Sequence, residues 1–378
     1  MTRTPPMTSN APPAPPAEDL RARIRKALGT MFDRGPGLAE TAVEVLEEMT
    51  GIRALRPVDR WPFPGSPFPE ERLAAARRMI VMDTETTGKE ADSRVIQLAM
   101  ARVLYDEDGP LGVEAEFQAL RDPGVPIDPE AARVTGISDE DLRGKSIDPA
   151  EVRAFMEGCD LVIAHHASFD RPKAERDLPG SGFESLPWIC SVEHVDWIRR
   201  GSGRSLFEIA TRNGLCYDAH DAMADVRALA FALASRDEDG VTVLAEARAT
   251  GLRPSAILVA ENSPYASKDM LKGGGFRWDS DCQIHAQASW FRRVSAEELN
   301  GPELVDLVRR AYPGRDGQPR DVGLPVVLIG PEDAFSDRQR LTAENRKLWF
   351  TDPEARADLM RLMGVVIPSQ DPELIRGP

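Results

Sequence analysis

What the chain lacks narrows the field before any motif is read. No apolar run in its 378 residues approaches the roughly 20 residues needed to span a bilayer, and the N-terminus carries no secretory apolar segment. Its four cysteines, Cys159, Cys190, Cys216 and Cys282, stand far apart with no CxxC pair. Buried, reduced thiols are therefore expected, not a disulfide framework or a thiolate metal site. Excess positive charge is missing too: 47 Lys and Arg against 62 Asp and Glu leave a formal charge of -15. That balance argues against a broad electrostatic grip on duplex nucleic acid, so any such contact must be local. The expectation is a soluble, cytoplasmic protein with no membrane partner.

A chain this long with 42% hydrophobic residues can bury a sizeable core, and it reads as two domains plus extensions. Residues 1–17 are Pro/Ala-rich and read as a disordered tail. Residues 18–73 read as a helical extension, with apolar spacing at Leu20, Ile24 and Leu28 and again at Leu38 to Met49, followed by a proline-rich linker from Trp61 to Pro69. Residues 74–237 form the central domain. In it, Met79 to Met82, Val95 to Tyr105, Glu114 to Leu120 and Leu161 to Ala164 read as strands, with Asp108-Gly109-Pro110 as a turn. Helical signals lie at Pro129 to Val134, Asp139 to Arg143 behind an N-cap at Ser138, Pro149 to Gly158, Ser168 to Asp177, Ser205 to Asn213 and Ala222 to Ser235. This alternation implies an α/β fold in which helices cover both faces of a sheet and ligands bind at strand ends.

Chemistry concentrates in three short segments. Asp83 and Glu85 follow the apolar run Met79 to Met82, Asp170 closes Ala164-His-His-Ala-Ser-Phe-Asp170, and His220 and Asp225 bracket the start of a helix. Crowded acids repel, and the repulsion is tolerated where cations sit between them. Hard oxygen ligands without thiolates suit Mg²⁺ or Mn²⁺. Two such ions about 4 Å apart assist phosphodiester hydrolysis. A histidine, with its ordinary pKa near 6.5, can take a proton from an attacking water at neutral pH. In the last helix Met223, Val226, Leu229, Ala230 and Leu233 supply a buried face opposite the site.

Taken together, Asp83-Thr-Glu85-Thr-Thr-Gly, Phe169-Asp170 and His220-x-Ala-x-x-Asp225 resemble the three motifs of the DEDDh exonuclease family, which includes the proofreading epsilon subunit of bacterial DNA polymerase III and ribonuclease T. The resemblance extends over about residues 77–237, including Phe117 to Glu140 and Pro187 to Ser191. It implies a ribonuclease H-like domain, a mixed sheet flanked by helices, that removes nucleotides from 3′ ends and releases 5′-monophosphates. By the same resemblance Asp83, Glu85, Asp170 and Asp225 take the places of ligands to two divalent ions, Mg²⁺ or Mn²⁺, and His220 that of the general base. Thr84, Thr86 and Phe169 match positions that hold the terminal nucleotide. His166 stands where the family usually has asparagine, which alters a supporting hydrogen bond and shifts substrate preference, so it is counted with Thr84, Thr86 and Phe169 among the substrate-binding positions. His165, His166 and His194 read as structural. The implied partners are nucleic acid 3′ ends, single-stranded or frayed DNA first, and a DNA polymerase or another replication or repair protein. Trimming of RNA 3′ ends and a non-catalytic polymerase-associated scaffold are the rival readings.

Residues 252–332 read as a small α+β module. Its strands are Ser255 to Ala260, Ala288 to Arg293 and a final edge strand, Leu324 to Ile329, marked by Pro325; its helices are Lys268 to Lys272 and Glu297 to Tyr312. Trp278, Trp290, Arg277, Arg292 and Lys272 could stack bases and neutralise phosphates, or simply pack. Residues 333–378 read as a tail with one helix, Glu354 to Met363.

Overall fold

The structure, a computed structural model, describes residues 55–58 and 68–364. The chain divides into two compact units, Met1–Arg56 and Pro57–Pro378; of the first only Leu55 and Arg56 are described. The readings of a tail at 1–17, of helices between 18 and 54 and of most of the proline-rich linker therefore lie outside the described residues. All of the elements below belong to the second unit.

A short helix α1 (Glu70–Ala74) precedes strand β1 (Arg77–Thr86), which is followed by β2 (Val95–Tyr105) and β3 (Pro110–Leu120). Helices α2 (Pro129–Thr135), α3 (Asp139–Leu142) and α4 (Pro149–Met156) lead into β4 (Leu161–Ala164), α5 (Ala167–Asp177), β5 (Trp188–Cys190), α6 (Leu206–Arg212), α7 (Ala222–Ala234) and α8 (Val243–Gly251). The five strands form one mixed sheet in the order β3-β2-β1-β4-β5. Strands β1 to β3 pair antiparallel; β4 and β5 add on in parallel. Local chemistry explains several boundaries. Ser138 and Asp141 form a reciprocal capping box at α3, and Asp128 and Asp148 cap helices that start with proline.

Alternation along β1 divides the core. Met79 and Val81 face α6, α7 and α8 on one side. Ile80 and Met82 face α4 and α5 on the other, where the same apolar cluster continues into Ile257, Val259, Val327, Ile329 and Phe335 of the C-terminal region. The two regions thus share one buried core.

That C-terminal region is a second sheet. It contains β6 (Ser255–Ala260), α9 (Lys268–Gly273), β7 (Arg277–Asp279), β8 (Ser289–Val294), α10 (Ala296–Asn300), α11 (Pro302–Ala311), β9 (Gly323–Ile329), β10 (Arg346–Phe350) and α12 (Pro353–Leu362). Its strand order is β10-β9-β6-β8-β7, antiparallel throughout. Ile257 and Val259 of β6 face the first sheet's cluster, while Ala256, Leu258 and Ala260 face α10 and α11.

Three expectations need correcting here. The single helix read from Glu297 to Tyr312 breaks in two, because Gly301 takes an extended conformation ahead of Pro302, as residues before proline tend to. Strand β9 is neither final nor at an edge, since β10 pairs along it. Pro325, opposite Leu348, instead lies just past Val326↔Leu258, where pairing with β6 stops, inside the sheet and not at its edge. Cys216 and Cys282, read as buried, are partly exposed; Cys159 and Cys190 are buried, and all four cysteines are free. The aromatic pair resolves unequally. Trp290 packs against the second sheet's core, and Trp278 is 52% exposed with its ring edge-to-face on Trp290 at 5.6 Å.

Candidate active site

Asp83 and Glu85 lie within the last turn of pleat of β1 and not beyond it, so their side chains emerge on the same face. Opposite them on β2 stand Ala99 and Gln97. Gln97 accepts a hydrogen bond from the backbone N–H of Ala222 at 3.3 Å, which ties the first turn of α7 to the sheet. Asp225 sits in that first turn. One carboxylate oxygen from each of Asp83, Glu85 and Asp225 falls within 4.8 Å of the others. Asp170 comes from the first turn of α5 and stands outside this trio. It is 2% exposed; the hydroxyl of Thr84 donates to its Oδ1 at 2.7 Å, and its Oδ2 is buried without a hydrogen-bond partner.

The electrostatics agree with the crowding. Burial, and then the charges of Asp170, Asp225 and Glu85, hold Asp83 well above the ordinary carboxylate range. Burial followed by the charges of Asp225, Asp170 and Asp221 pushes Glu85 up to about 9. Burial also raises Asp170 to about 7, against the pull of the Thr84 hydrogen bond and of Lys173, and Asp225 to about 6, against the backbone N–H of His220 and the Tyr217 hydroxyl. Each acid is thus short of positive charge at neutral pH. An all-oxygen donor set, an unpartnered buried oxygen and raised pKa values together fit a hard divalent cation.

The other expected residues are placed as follows. His220 is exposed, adopts a left-handed backbone (φ 72°), and donates its backbone N–H to Asp225 Oδ2 at 2.8 Å. Its ring makes no hydrogen bond among the described residues. Thr86 turns its hydroxyl to the Gly88 carbonyl at 2.6 Å, as Thr84 turns its own to Asp170, so neither hydroxyl proton is free for a ligand. Phe169 is half-buried, with the Lys173 ammonium 3.6 Å from its ring centroid. His166 is exposed at the N-cap of α5 without a side-chain capping bond; only its carbonyl is used, accepting from Phe169 and Asp170. His165 bonds Ser191 and the Arg204 carbonyl, and burial lowers it to about 4. His194 is likewise lowered to about 4 by burial. Both belong to the packing.

Sequence reading missed three neighbours of this site. Tyr217 hydrogen-bonds Asp225, Asp221 caps α7 and adds its charge to Asp83 and Glu85, and Gln97 anchors the helix start. Asp221 directly before an apolar helix carried an N-cap signal. Tyr217 and Gln97 carried none, because their roles arise only when the turn before α7 meets β2.

Comparison with known proteins bears on this arrangement. The Exonuclease family model matches residues 80–233. DNA polymerase III PolC-type of Streptococcus suis (strain 98HAH33) is 34% identical over 151 residues, which are 37% of this chain and 10% of that protein. The PolC-type polymerase of Streptococcus pyogenes serotype M1 is 32% identical over 94 residues, 24% of this chain and 6% of that protein. The match thus spans about a tenth or less of these relatives' length. Among solved structures, Exonuclease X in complex with 5′ overhanging duplex DNA aligns with a TM-score of 0.33 and 21% identity, covering 46% of this chain and 99% of that one. The nuclease domain of 3′hExo, a DEDDh family member, bound to rAMP, aligns with a TM-score of 0.33 and 16% identity, covering 42% and 90%.

Proposed function

We propose, starting from a chain whose residues 80–233 match the Exonuclease family model, that the protein is a metal-dependent 3′–5′ exonuclease of the DEDDh type acting on single-stranded or frayed DNA ends. The observation that carries the reading is the gathering of Asp83, Glu85 and Asp225 within 4.8 Å, with buried Asp170 beside them and every acid raised.

Asp83, Glu85, Asp170 and Asp225 would hold two divalent ions, Mg²⁺ or Mn²⁺. When bound, the ions neutralise the four acids and stabilise charge developing on a scissile phosphate. The chain's own groups do the rest. Thr84 fixes one oxygen of Asp170, leaving the other to point elsewhere, and the Tyr217 hydroxyl together with the His220 backbone N–H orients Asp225. His220, held at the mouth of the site by that backbone bond, accepts the proton of the attacking water, and the product is a 5′-monophosphate. Phe169 and His166 line the approach to the first turn of α5 and contact the terminal nucleotide, with Thr84 and Thr86 contributing backbone groups because their hydroxyl protons are engaged. Likeness to PolC-type DNA polymerases favours DNA as the polymer and a polymerase or another replication or repair protein as the partner.

The test is product analysis with purified protein on a 5′-labelled single-stranded DNA and a matched RNA, with Mg²⁺ or with chelator. The reading expects a ladder shortened from the 3′ end of the DNA that disappears in chelator and in Asp83→Ala. Faster cleavage of the RNA would move the activity to RNA trimming, and a ladder surviving in Asp83→Ala would remove the site assignment.

A further inference from the structure

The residue after Asp170 is an arginine that does not face the site. Arg171 is wholly buried, and each nitrogen of its guanidinium donates a hydrogen bond. Nε donates to Glu175 Oε1 at 2.7 Å one helical turn on; Nη1 donates to the Ala334 carbonyl at 2.7 Å; Nη2 donates to the Glu332 carbonyl at 2.6 Å and more weakly to the Phe183 carbonyl at 3.4 Å. The guanidinium carbon Cζ lies over the Trp188 ring, 5.1 Å from its centroid. Two of these acceptors belong to the loop that follows β9, in the second sheet. Ser336 of the same loop donates to the other Glu175 oxygen at 2.6 Å, and the Pro331 carbonyl accepts from Trp188 N–H at 3.1 Å. Between them Phe335 is 1% exposed and sits at φ 67°, a conformation that a bulky side chain keeps only where its surroundings hold it.

We infer that Arg171 is a positioning residue: through it, the loop from Gly330 to Ser336 of the C-terminal region fixes the first turn of α5 and with it the metal-ligating oxygens of Asp170. The reasoning is geometric. A planar, permanently charged fork with several donors suits three carbonyls and a carboxylate at fixed angles, and a lysine could not satisfy them together. Among the described residues the Asp170 carboxylate is hydrogen-bonded by Thr84 alone. The helix packs on the first sheet through Ala167 and Ala174, and its far end is tied by Asp177, which accepts from Arg94 and the Val95 N–H, and by Arg176, which donates to the Ala91 and Ser93 carbonyls. The near end, where the ligand stands, is located by the second sheet. In this view the C-terminal region is part of the catalytic apparatus and not an appended binding module. The inference deepens the proposed metal-dependent reading and rests on it.

The experiment uses the full chain. Mn²⁺ binding is measured by titration without nucleic acid, and the Mg²⁺ concentration giving half-maximal cleavage is measured with a labelled single-stranded DNA. Three variants are compared with wild type: Arg171→Met, Ser336→Ala, and Leu299→Ala as a control that removes buried volume in the second sheet's own helical layer. Loss of an outer support of a metal ligand weakens metal binding roughly tenfold or more. Arg171→Met is expected to show that shift in both readouts with little change in KM for DNA, Ser336→Ala a shift of a few-fold in the same direction, and Leu299→Ala a lower melting temperature with unchanged metal dependence. Should Arg171→Met not fold, Ser336→Ala decides the matter on the same readouts. Metal dependence equal to wild type in the folded Arg171 variant, or an equal shift in Leu299→Ala, overturns the inference. A wild-type protein that binds no divalent ion fails the proposed function itself, which is a different result.

Discussion

Asp170 and Asp177 occupy opposite ends of one helix, α5, and both are buried, yet their surroundings push them in opposite directions. At Asp177 burial raises the pKa, but hydrogen bonds from Arg176, the Val95 N–H and Arg94 outweigh it, and the group ends below its ordinary value. At Asp170 burial prevails, and the single Thr84 hydroxyl with nearby Lys173 leaves the carboxyl at about 7. Burial alone therefore does not decide the charge state; the supply of donors and cations does. Where the fold provides arginines the acid is held ionised, and where it provides none but adds three more acids, the carboxyl groups are left short of positive charge, the deficit that the proposed divalent ions would fill.

Substitution at each end is the sharpest way to separate them. Asp170→Asn should lower turnover by about 10³-fold, since a lost ligand removes several kcal/mol of charge stabilisation, while melting in chelator stays level or rises. Asp177→Asn should do the reverse, costing about 1–2 kcal/mol of stability because it weakens the hydrogen bonds that the buried carboxylate accepts from the Val95 N–H, Arg94 and Arg176, with activity per folded molecule retained. Urea melts and a cleavage assay on both variants check this; loss of activity at Asp177 with full activity at Asp170 would break the comparison. Replacing His220 by Ala should lower turnover about 10²-fold and leave Mn²⁺ affinity unchanged, since the protein links it to Asp225 by its backbone. Equal damage to turnover and affinity would make it a support for the ligand.

A pH series exposes the same deficit of positive charge. Glu85, raised from 4.5 to about 9, binds a proton more tightly folded than unfolded. Its favourable contribution is fully present below the unfolded pKa and is lost as pH rises toward the folded value. In chelator the melting temperature should therefore fall between about pH 5 and pH 9, and Mg²⁺ should flatten that fall by at least about 4 °C. An equal slope with and without Mg²⁺ would mean that the acids do not share an ion. The smallest effect is expected from Thr84→Val, which removes one hydrogen bond to Asp170 worth about 1 kcal/mol and should weaken Mn²⁺ binding only a few-fold by titration.

Much of this architecture was legible in the sequence. Val95–Tyr105, Leu161–Ala164 and Ser255–Ala260 are apolar runs bounded by turn or acidic residues, and they form strands with those bounds. Ser138 announced its helix because capping is local. The acids that the structure gathers were visible because each sits in its own short signature beside a strand end or helix start. What escaped depends on distance or on a tertiary partner. Strand Arg346–Phe350 is polar at its start and becomes a strand by pairing with Gly323–Ile329. Tyr217 and Gln97 act across a helix–sheet junction. Arg171 meets Ala334 and Glu332 far along the chain, and nothing in its own neighbourhood distinguishes it from a solvated arginine.

The central claim is that the acids around Asp83 are completed by divalent ions from solution, and Mn²⁺ titration followed by paramagnetic resonance tests it most directly. Wild type and Asp177→Asn should bind a pair of ions with matching affinity, and Asp170→Asn should bind at least about tenfold more weakly. Undiminished binding in Asp170→Asn would contradict the account.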